Sequence, residues 1–167
     1  NIVALCDVDE RSAAASAPGR RNPPGAAFAR YGQAKKYYDY RKMLDELDRQ
    51  IDAVVVSTPD HNHAPASVAA MRRGKHVYCE KPGANSVFEA RMLAKVAAEQ
   101  QVATQLGTQM HASDNFRRIV ELIRAGAIGA VKECHIWLRA GGSTSERPTQ
   151  TPPVPPGLHW DLFLGPA

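Results

Sequence analysis

Short apolar runs that alternate with helix-like segments constrain this chain more than any other feature. The run at Asp52–Ser57 contains Ala-Val-Val-Val, and further runs follow at Lys75–Cys79 and Val102–Gly107. A run that is apolar on both faces is typical of a central parallel strand. Strands that are separated by helices form right-handed βαβ units. The sequence therefore predicts an α/β fold with a doubly wound parallel sheet.

Helices are predicted between these runs from their apolar spacing and their end signals. Ser86 and Glu89 have the spacing of a capping box, which marks the start of a helix. Gly74 marks a helix end, because glycine readily adopts the left-handed conformation that closes helices. The predicted helices are Asp9–Ala17, Tyr40–Leu47, Ala64–Arg73, Ser86–Gln100 and Asp114–Ala125.

The two ends of the chain have the character of interior segments. Asn1–Asp7 already has a strand pattern, and the aromatic and apolar stretch His159–Ala167 follows a predicted linker rich in Pro, Ser and Thr at Ser143–Gly157. We therefore expect a fragment that is truncated at both ends. Before the linker, Val131–Leu138 alternates apolar and polar residues, which predicts a strand with one wetter face.

Composition and charge argue against several classes of function. The 167 residues carry a net charge of +4, basic residues occur as scattered pairs, and only 7% are aromatic, so nucleic-acid binding is not expected. No apolar run approaches the ~20 residues that span a bilayer, so no membrane partner is expected. No signal peptide is visible, which makes the cytoplasm the default expectation, and an export signal before Asn1 stays an open alternative.

The three cysteines, Cys6, Cys79 and Cys134, lie far apart in apolar runs. Their odd number and wide spacing do not fit a disulfide framework or a CxxC metal site. We expect all three to be buried core thiols.

Polar residues follow the predicted strands, at the edge where open α/β sheets bind ligands. Asp7 ends the first strand, where a carboxylate can accept hydrogen bonds from both ribose hydroxyls of an adenine dinucleotide and repel a 2′-phosphate. The alternative for Asp7 is a helix N-cap. The next polar turn follows the valine strand and reads Ser57-Thr58-Pro59-Asp60-His61-Asn62-His63.

His61 and His63 allow a second interpretation of this turn. The two residues could form a metal pair, with Glu80 or Cys79 as a third ligand, although solvent-facing or helix-capping histidines are more common. No metal is predicted on balance.

Cys79-Glu80-Lys81-Pro82 follows the next strand. Lys81 at that edge is a candidate general acid or base, and Pro82 is a candidate cis proline that would fix the turn. The alternative is a surface Glu-Lys pair that ends a strand. Gln109, which follows the fourth strand, could reach the same crevice.

Three of these segments together resemble the Gfo/Idh/MocA family (glucose-fructose oxidoreductase, inositol dehydrogenase and MocA). They are Leu5-Cys6-Asp7-Val8-Asp9, Ser57-Thr58-Pro59-Asp60-His61-Asn62-His63-Ala64-Pro65 and Gly74-Lys75-His76-Val77-Tyr78-Cys79-Glu80-Lys81-Pro82. The resemblance implies a dinucleotide-binding Rossmann domain at residues 1–110, incomplete at its N-terminus. It also implies that residues 111–167 hold the crossover helix and the beginning of an α+β substrate domain with an antiparallel sheet.

The resemblance also implies the roles of individual residues. Lys81 would be catalytic, between the nicotinamide and the substrate hydroxyl. Asp7 would favour NAD, with NADP possible. The residues implied to lie near the cofactor are Asp7, Ser57, Thr58, Pro59, His61, His63, Glu80, Lys81 and Gln109.

This sequence departs from the family pattern in three places. It contains no G-x-G-x-x-G motif, which we expect before Asn1, and Gly83 follows Pro82 where many relatives have an apolar residue. The family's catalytic histidine and its acidic partner are expected beyond Ala167.

The function implied is transfer of a hydride between a nicotinamide cofactor and a secondary alcohol of a sugar, cyclitol or related polyol. The expected assembly is a homo-oligomer through the C-terminal sheet. Three alternatives stay open: a glycosidase that oxidises a sugar carbon transiently with NAD, a non-catalytic dinucleotide-binding protein, and a metallohydrolase built on His61 and His63.

Overall fold

A computed structural model describes residues 1–10, 26–137 and 149–166. Within these ranges the strands are β1 (Ala4–Cys6), β2 (Lys35–Tyr37), β3 (Ala53–Val56), β4 (His76–Glu80) and β5 (Thr104–Gly107). The helices are α1 (Ala26–Arg30), α2 (Tyr40–Glu46), α3 (His63–Met71), α4 (Val87–Gln100), α5 (Asp114–Arg124) and α6 (Trp160–Leu164). Short 3-10 turns occur at Asp48–Gln50, Asp60–Asn62 and Gln109–Ala112.

All the described strand pairs are parallel. Strands β1 and β2 form one sheet, and β3, β4 and β5 form a second sheet in that order. Val56 pairs with Cys79, and Glu80 pairs with Gly107. Helices connect the strands, as βαβ units require. The predicted α/β fold with parallel sheets is confirmed.

One apolar core joins these elements. Leu44 and Leu47 contribute to it from α2 and the residue that follows α2. Met71 of α3, Val77 of β4 and Val96 of α4 belong to the same core. Its members are nearly inaccessible to solvent, so burial of apolar surface fixes the helices on the sheet. The core therefore holds the ends of β3 and β4 in a defined position.

The helix end signals are confirmed in detail. Helix α4 begins after Ser86, whose hydroxyl accepts a hydrogen bond from the backbone N–H of Glu89, and the Glu89 carboxylate accepts from the backbone N–H of Ser86. After α3, Gly74 has a φ of +72°, the left-handed conformation that glycine adopts easily. The predicted cis peptide bond is also present, between Lys81 and Pro82.

Three elements are absent from the sequence predictions: α1, β2 and α6. Strand β2 is only three residues long and contains two exposed lysines, so it has no apolar periodicity. It forms because its backbone pairs with β1, where Ala4 faces Lys35. Pairing with a distant strand is not visible in a local pattern.

The described chain divides into two compact units, Asn1–Gly107 with Val154–Ala167, and Thr108–Pro153. The C-terminal residues 154–166 belong to the first compact unit. The domain boundary expected from the family resemblance, after residue 110, places them in the second domain. Among the described residues, no helix has both the length and the apolar character needed to cross a membrane.

The structure corrects two predictions in the second unit. Residues 131–137 of the predicted strand Val131–Leu138 are not in a strand, and Ile136 and Trp137 are 77% and 86% exposed. A strand needs a neighbour for its backbone hydrogen bonds, and no described segment pairs with this one. The described residues do not include an antiparallel sheet of a substrate domain. Cys134 lies in this segment and is exposed, not a core thiol.

The predicted helix at 9–17 falls mainly outside the described residues. Of the predicted linker at 143–157, residues 149–157 are described and contain no helix or strand.

Candidate functional site

Two polar turns lie side by side at the carboxyl edge of the three-stranded sheet. Since Val56 pairs with Cys79, Thr58 and Lys81 each lie two residues beyond the paired positions. Ser57, Thr58, Pro59 and Lys81 are exposed. The structure therefore brings the polar ends of β3 and β4 together, as the sequence predicts for neighbouring parallel strands.

The Glu80 side chain lies on the β5 side of its turn. A Cβ placed on Gly107 would lie 2.8 Å from Glu80 Oε2 and 2.8 Å from the Tyr78 hydroxyl. Any other residue at position 107 would displace the carboxylate. The absence of a side chain at Gly107 thus leaves space for the half-buried carboxylate of Glu80, the residue that precedes the exposed Lys81.

The buried side chain of His63 contacts both turns. Its ring is only 1% exposed, and it is the first residue of α3. His63 Nε2 lies 2.7 Å from the backbone oxygen of Thr58, and His63 Nδ1 contacts the backbone oxygen of Pro82. The same ring therefore bridges the turn after β3 and the turn after β4.

His61 makes a different contact, with a segment more than 100 positions later in the chain. His61 Nε2 lies 2.7 Å from the backbone oxygen of Phe163, and the two rings meet edge to face with centroids 6.0 Å apart. Phe163 is part of α6. This contact places α6 against the turn after β3.

Asp7 directly follows β1 and is half-buried. Its Oδ1 accepts a hydrogen bond of 2.9 Å from the backbone N–H of Asp9. The predicted helix that Asp7 would cap lies mainly outside the described residues. The backbone N–H of Asp7 donates to the carbonyl of Tyr37 over 3.0 Å. A carboxylate offers about four acceptor positions, so this single bond leaves room for a ligand.

The segment 157–165, here called the returning segment, joins the ends of the two sheets. The backbone N–H of His159 donates to the carbonyl of Val8 over 2.9 Å, and the His159 ring stacks on Tyr38 with centroids 4.7 Å apart. His159 and Phe163 are one helical turn apart, about 6 Å along the helix axis. The end of β1 and the turn after β3 therefore lie close to the same short helix.

The sequence predicts no site role for the returning segment. Its one local signal is the aromatic and apolar cluster in His159–Ala167. No local pattern shows that this cluster packs against residues near position 8.

Two thiols near the sheet ends are poor nucleophiles. Burial raises the pKa of the Cys6 thiol to about 12, and the carboxylates of Asp39 and Asp7 act in the same direction. Burial also raises the pKa of Cys79. Since the thiolate is the reactive form, neither side chain is suited to covalent chemistry at neutral pH.

The metal interpretation finds little support in the described ranges. No group of three or more His, Cys, Asp or Glu residues comes together there in a way that could hold an ion. Both ring nitrogens of His63 face backbone oxygens, so they are not directed at a shared ion with His61.

Gln109 begins a 3-10 turn in the second compact unit and is exposed. Its contact with a cofactor stays a prediction.

A family model described as an oxidoreductase family with an NAD-binding Rossmann fold, named GFO_IDH_MocA, matches residues 1–108. The chain belongs to this family. The matched residues include β1 to β5 and both polar turns. The resemblance stated from the three sequence segments is thereby confirmed.

Known members of the Gfo/Idh/MocA family are similar to this chain. A levoglucosan dehydrogenase of Pseudarthrobacter phenanthrenivorans is 30% identical over 112 residues, 66% of this chain and 28% of the relative. A 2,7-anhydro-N-acetylneuraminate hydratase of Escherichia coli is 33% identical over 106 residues, 62% of this chain and 28% of the relative. The crystal structure of a myo-inositol 2-dehydrogenase from Lactobacillus plantarum matches with a TM-score of 0.60 and 27% identity.

That crystal structure matches 77% of this chain, which covers 34% of the dehydrogenase. The chain thus spans about a quarter to a third of the length of these relatives.

The described residues fit the NAD that this family binds. A dinucleotide in a Rossmann fold lies across the carboxyl ends of the strands. At those ends the Gfo/Idh/MocA chain offers the Asp7 carboxylate, the exposed polar groups of Ser57 and Thr58, and the exposed ammonium group of Lys81.

Proposed function

We propose that the intact protein is an NAD-dependent oxidoreductase acting on a secondary alcohol of a sugar, cyclitol or related polyol, with NADP as the alternative cofactor. The observation that carries this proposal is the position of Lys81, exposed at the carboxyl edge and in register with the Thr58 turn. The names of the dehydrogenase relatives support the substrate class.

Lys81 has the chemistry that such a reaction requires of the protein. When bound, the nicotinamide accepts the hydride, and the protein provides orientation and electrostatics. The Lys81 ammonium group donates a hydrogen bond to the reacting hydroxyl and stabilises the alkoxide that develops as the hydroxyl proton passes to the second-domain histidine that the family resemblance implies. Asp7 holds the ribose hydroxyls, and Ser57 and Thr58 line the cofactor side of the crevice.

Lys81→Ala tests this function in the intact protein. We expect turnover of a polyol panel that includes myo-inositol and levoglucosan to fall about 100-fold, while the Kd for NAD measured by titration calorimetry stays unchanged. The reason is that Ala removes the hydrogen-bond donor without altering the Asp7 or Thr58 sites.

Lys95→Ala is the matched control, because Lys95 is an exposed lysine on α4 that pairs with Glu99. Wild-type turnover in Lys81→Ala would remove Lys81 from the mechanism. Binding of NAD by the wild-type protein without turnover of any polyol would favour the non-catalytic alternative.

A redox-neutral reaction is a second candidate, of which the NAD-dependent glycosidase is one form. The relative named as a hydratase favours it, because addition of water involves no net oxidation. Net formation of reduced nicotinamide with a polyol supports the dehydrogenase; product formation without it supports the redox-neutral cycle.

Two finer features complete the proposal. The intact protein contains a substrate domain with an antiparallel sheet, and copies associate through that sheet into a homo-oligomer. The exposed apolar side chains of the second unit, such as Ile136 and Trp137, support this, because large apolar surfaces usually become buried in an interface.

A further inference from the structure

We infer that His63 is a positioning residue for Lys81, which it holds against the cofactor turn at Thr58 by bridging two backbone carbonyls. This inference rests on the proposed function and deepens it, since it concerns the placement of the proposed catalytic lysine. It gives His63 a role other than direct contact with a cofactor.

The burial of His63 supports this role. Its ring is 1% exposed, and α3, which it begins, is anchored by Ala64, Ala70 and Met71, each at most 2% exposed. Because α3 is fixed in the core, the position of the His63 ring next to the two turns is also fixed. A bound substrate could not reach the ring without displacing the turns above it.

The hydrogen bonds of His63 connect the two halves of the site. Nε2 lies 2.7 Å from the Thr58 oxygen, and Nδ1 contacts the oxygen of Pro82, the residue that follows Lys81. Carbonyl oxygens only accept hydrogen bonds, so a neutral ring donates to one turn at a time and a doubly protonated ring to both.

The consequence for Lys81 follows from the length of its side chain. A lysine side chain has four rotatable bonds, so the position of its ammonium group depends on where the backbone turn is held. A displacement of about 1 Å at a reacting group can cost about 100-fold in rate. Loss of the bridge therefore affects turnover through Lys81 and cofactor affinity through Thr58.

Three substitutions separate the two hydrogen bonds. The amide nitrogen of Asn lies near the position of His Nδ1, and that of Gln lies near the position of His Nε2. His63→Asn therefore retains a donor for Pro82, His63→Gln retains a donor for Thr58, and His63→Ala retains neither.

The measurements are kcat, the Kd for NAD by titration calorimetry, and the thermal midpoint of the intact protein. We expect His63→Ala to lower kcat about 10- to 100-fold and to weaken NAD binding. His63→Asn recovers most of kcat but not NAD affinity, and His63→Gln recovers NAD affinity but not kcat. His76→Asn is the control, since His76 lies at the opposite end of β4 and its substitution leaves both quantities unchanged.

A purely structural role predicts a different pattern. The positioning role is wrong if His63→Asn and His63→Gln each lower kcat and NAD affinity together, and if the size of both losses follows the decrease in the thermal midpoint. If His63→Ala folds and behaves as the wild type, it is also wrong, while the proposed function stands. If the wild-type protein does not bind NAD, the proposed function itself fails. Should His63→Ala not fold, the contrast between the Asn and Gln variants still decides.

Discussion

Asp7 has a structural role, and the proposed function gives the same side chain a second role in binding the cofactor. Its Oδ1 accepts the backbone N–H of Asp9 and so shapes the turn after β1. The same carboxylate lies at the sheet edge where the ribose of a dinucleotide is bound. Its structural bond needs only an oxygen acceptor, whereas discrimination against a 2′-phosphate needs the negative charge.

Substitution of Asp7 separates these two roles. Asp7→Asn keeps an oxygen acceptor for Asp9 but removes the charge, and a hydrogen bond to a charged group contributes about 1.5–3 kcal/mol. We expect the Kd for NAD to rise about 10- to 100-fold and the preference for NAD over NADP to narrow, as measured by calorimetry with both cofactors.

Asp7→Ala provides the comparison, because it also removes the bond to Asp9. It should lower the thermal midpoint further than Asp7→Asn does. An unchanged ratio of the two cofactor affinities in Asp7→Asn would contradict the ribose role.

The site residues that sequence reasoning identifies are those that directly follow a strong strand pattern. Thr58 and Lys81 are examples, because the carboxyl end of a buried strand is visible in the sequence itself. The bridge from His63 to Pro82 is not visible, since it spans 19 positions and depends on how α3 packs under the turns. The contact between His61 and Phe163 spans 102 positions and is still less accessible to local patterns.

Helix α4 begins at Val87, shortly after the turn that carries Lys81. The reciprocal hydrogen bonds between Ser86 and Glu89 define where the helix starts. They satisfy backbone N–H groups that have no partner within the helix. The capping box therefore also defines the length of the loop that follows Pro82.

Ser86→Ala tests the contribution of this cap. We expect it to lower the free energy of unfolding by about 1 kcal/mol, measured by urea denaturation, because the N–H of Glu89 loses its acceptor. Ser86→Asp retains an acceptor at the cap and should stay near the wild-type value. Equal stability of the Ala and Asp variants would show that the cap does not stabilise the helix.

The strands that the sequence predicts best are those whose apolar side chains form the core. In β4, Val77 and Cys79 are buried, so its apolar residues record packing. In β3 only Val56 is buried and Val55 is 68% exposed, because β3 lies at the edge of the described three-stranded sheet. Strand β2 escapes prediction because its residues are mostly exposed and its pairing with β1 is a backbone property. For residues 131–137 the prediction of a strand is wrong for the opposite reason. The segment has the alternating pattern of a strand, but no described segment pairs with it.

We expect the two compact units of the molecule to differ in how well their backbone is protected. Lys95 and Lys132 are both exposed, but Lys95 lies within α4 whereas Lys132 lies in a segment without secondary structure. Proteases act on backbone that can open locally. The contrast between these two lysines therefore reports on the local protection of the backbone around two exposed side chains.

Limited digestion of the 167-residue chain with trypsin tests this difference. We expect cleavage after Lys132 to precede cleavage after Lys95, as followed by mass spectrometry of the products. Lys132→Gln should remove the early product without accelerating the cut at Lys95. Cleavage after Lys95 first would mean that α4 opens more readily than residues 131–137.

The returning segment has a consequence for biosynthesis. His159 meets Glu10 across 149 positions of the chain, and a ribosome that adds about 5–20 residues per second needs roughly 7–30 s to cover that distance. During this interval the nascent polypeptide has already completed both polar turns, while the helix that rests on His61 has yet to emerge from the exit tunnel. The two polar turns are thus synthesised well before the segment that supplies the contact between His61 and Phe163.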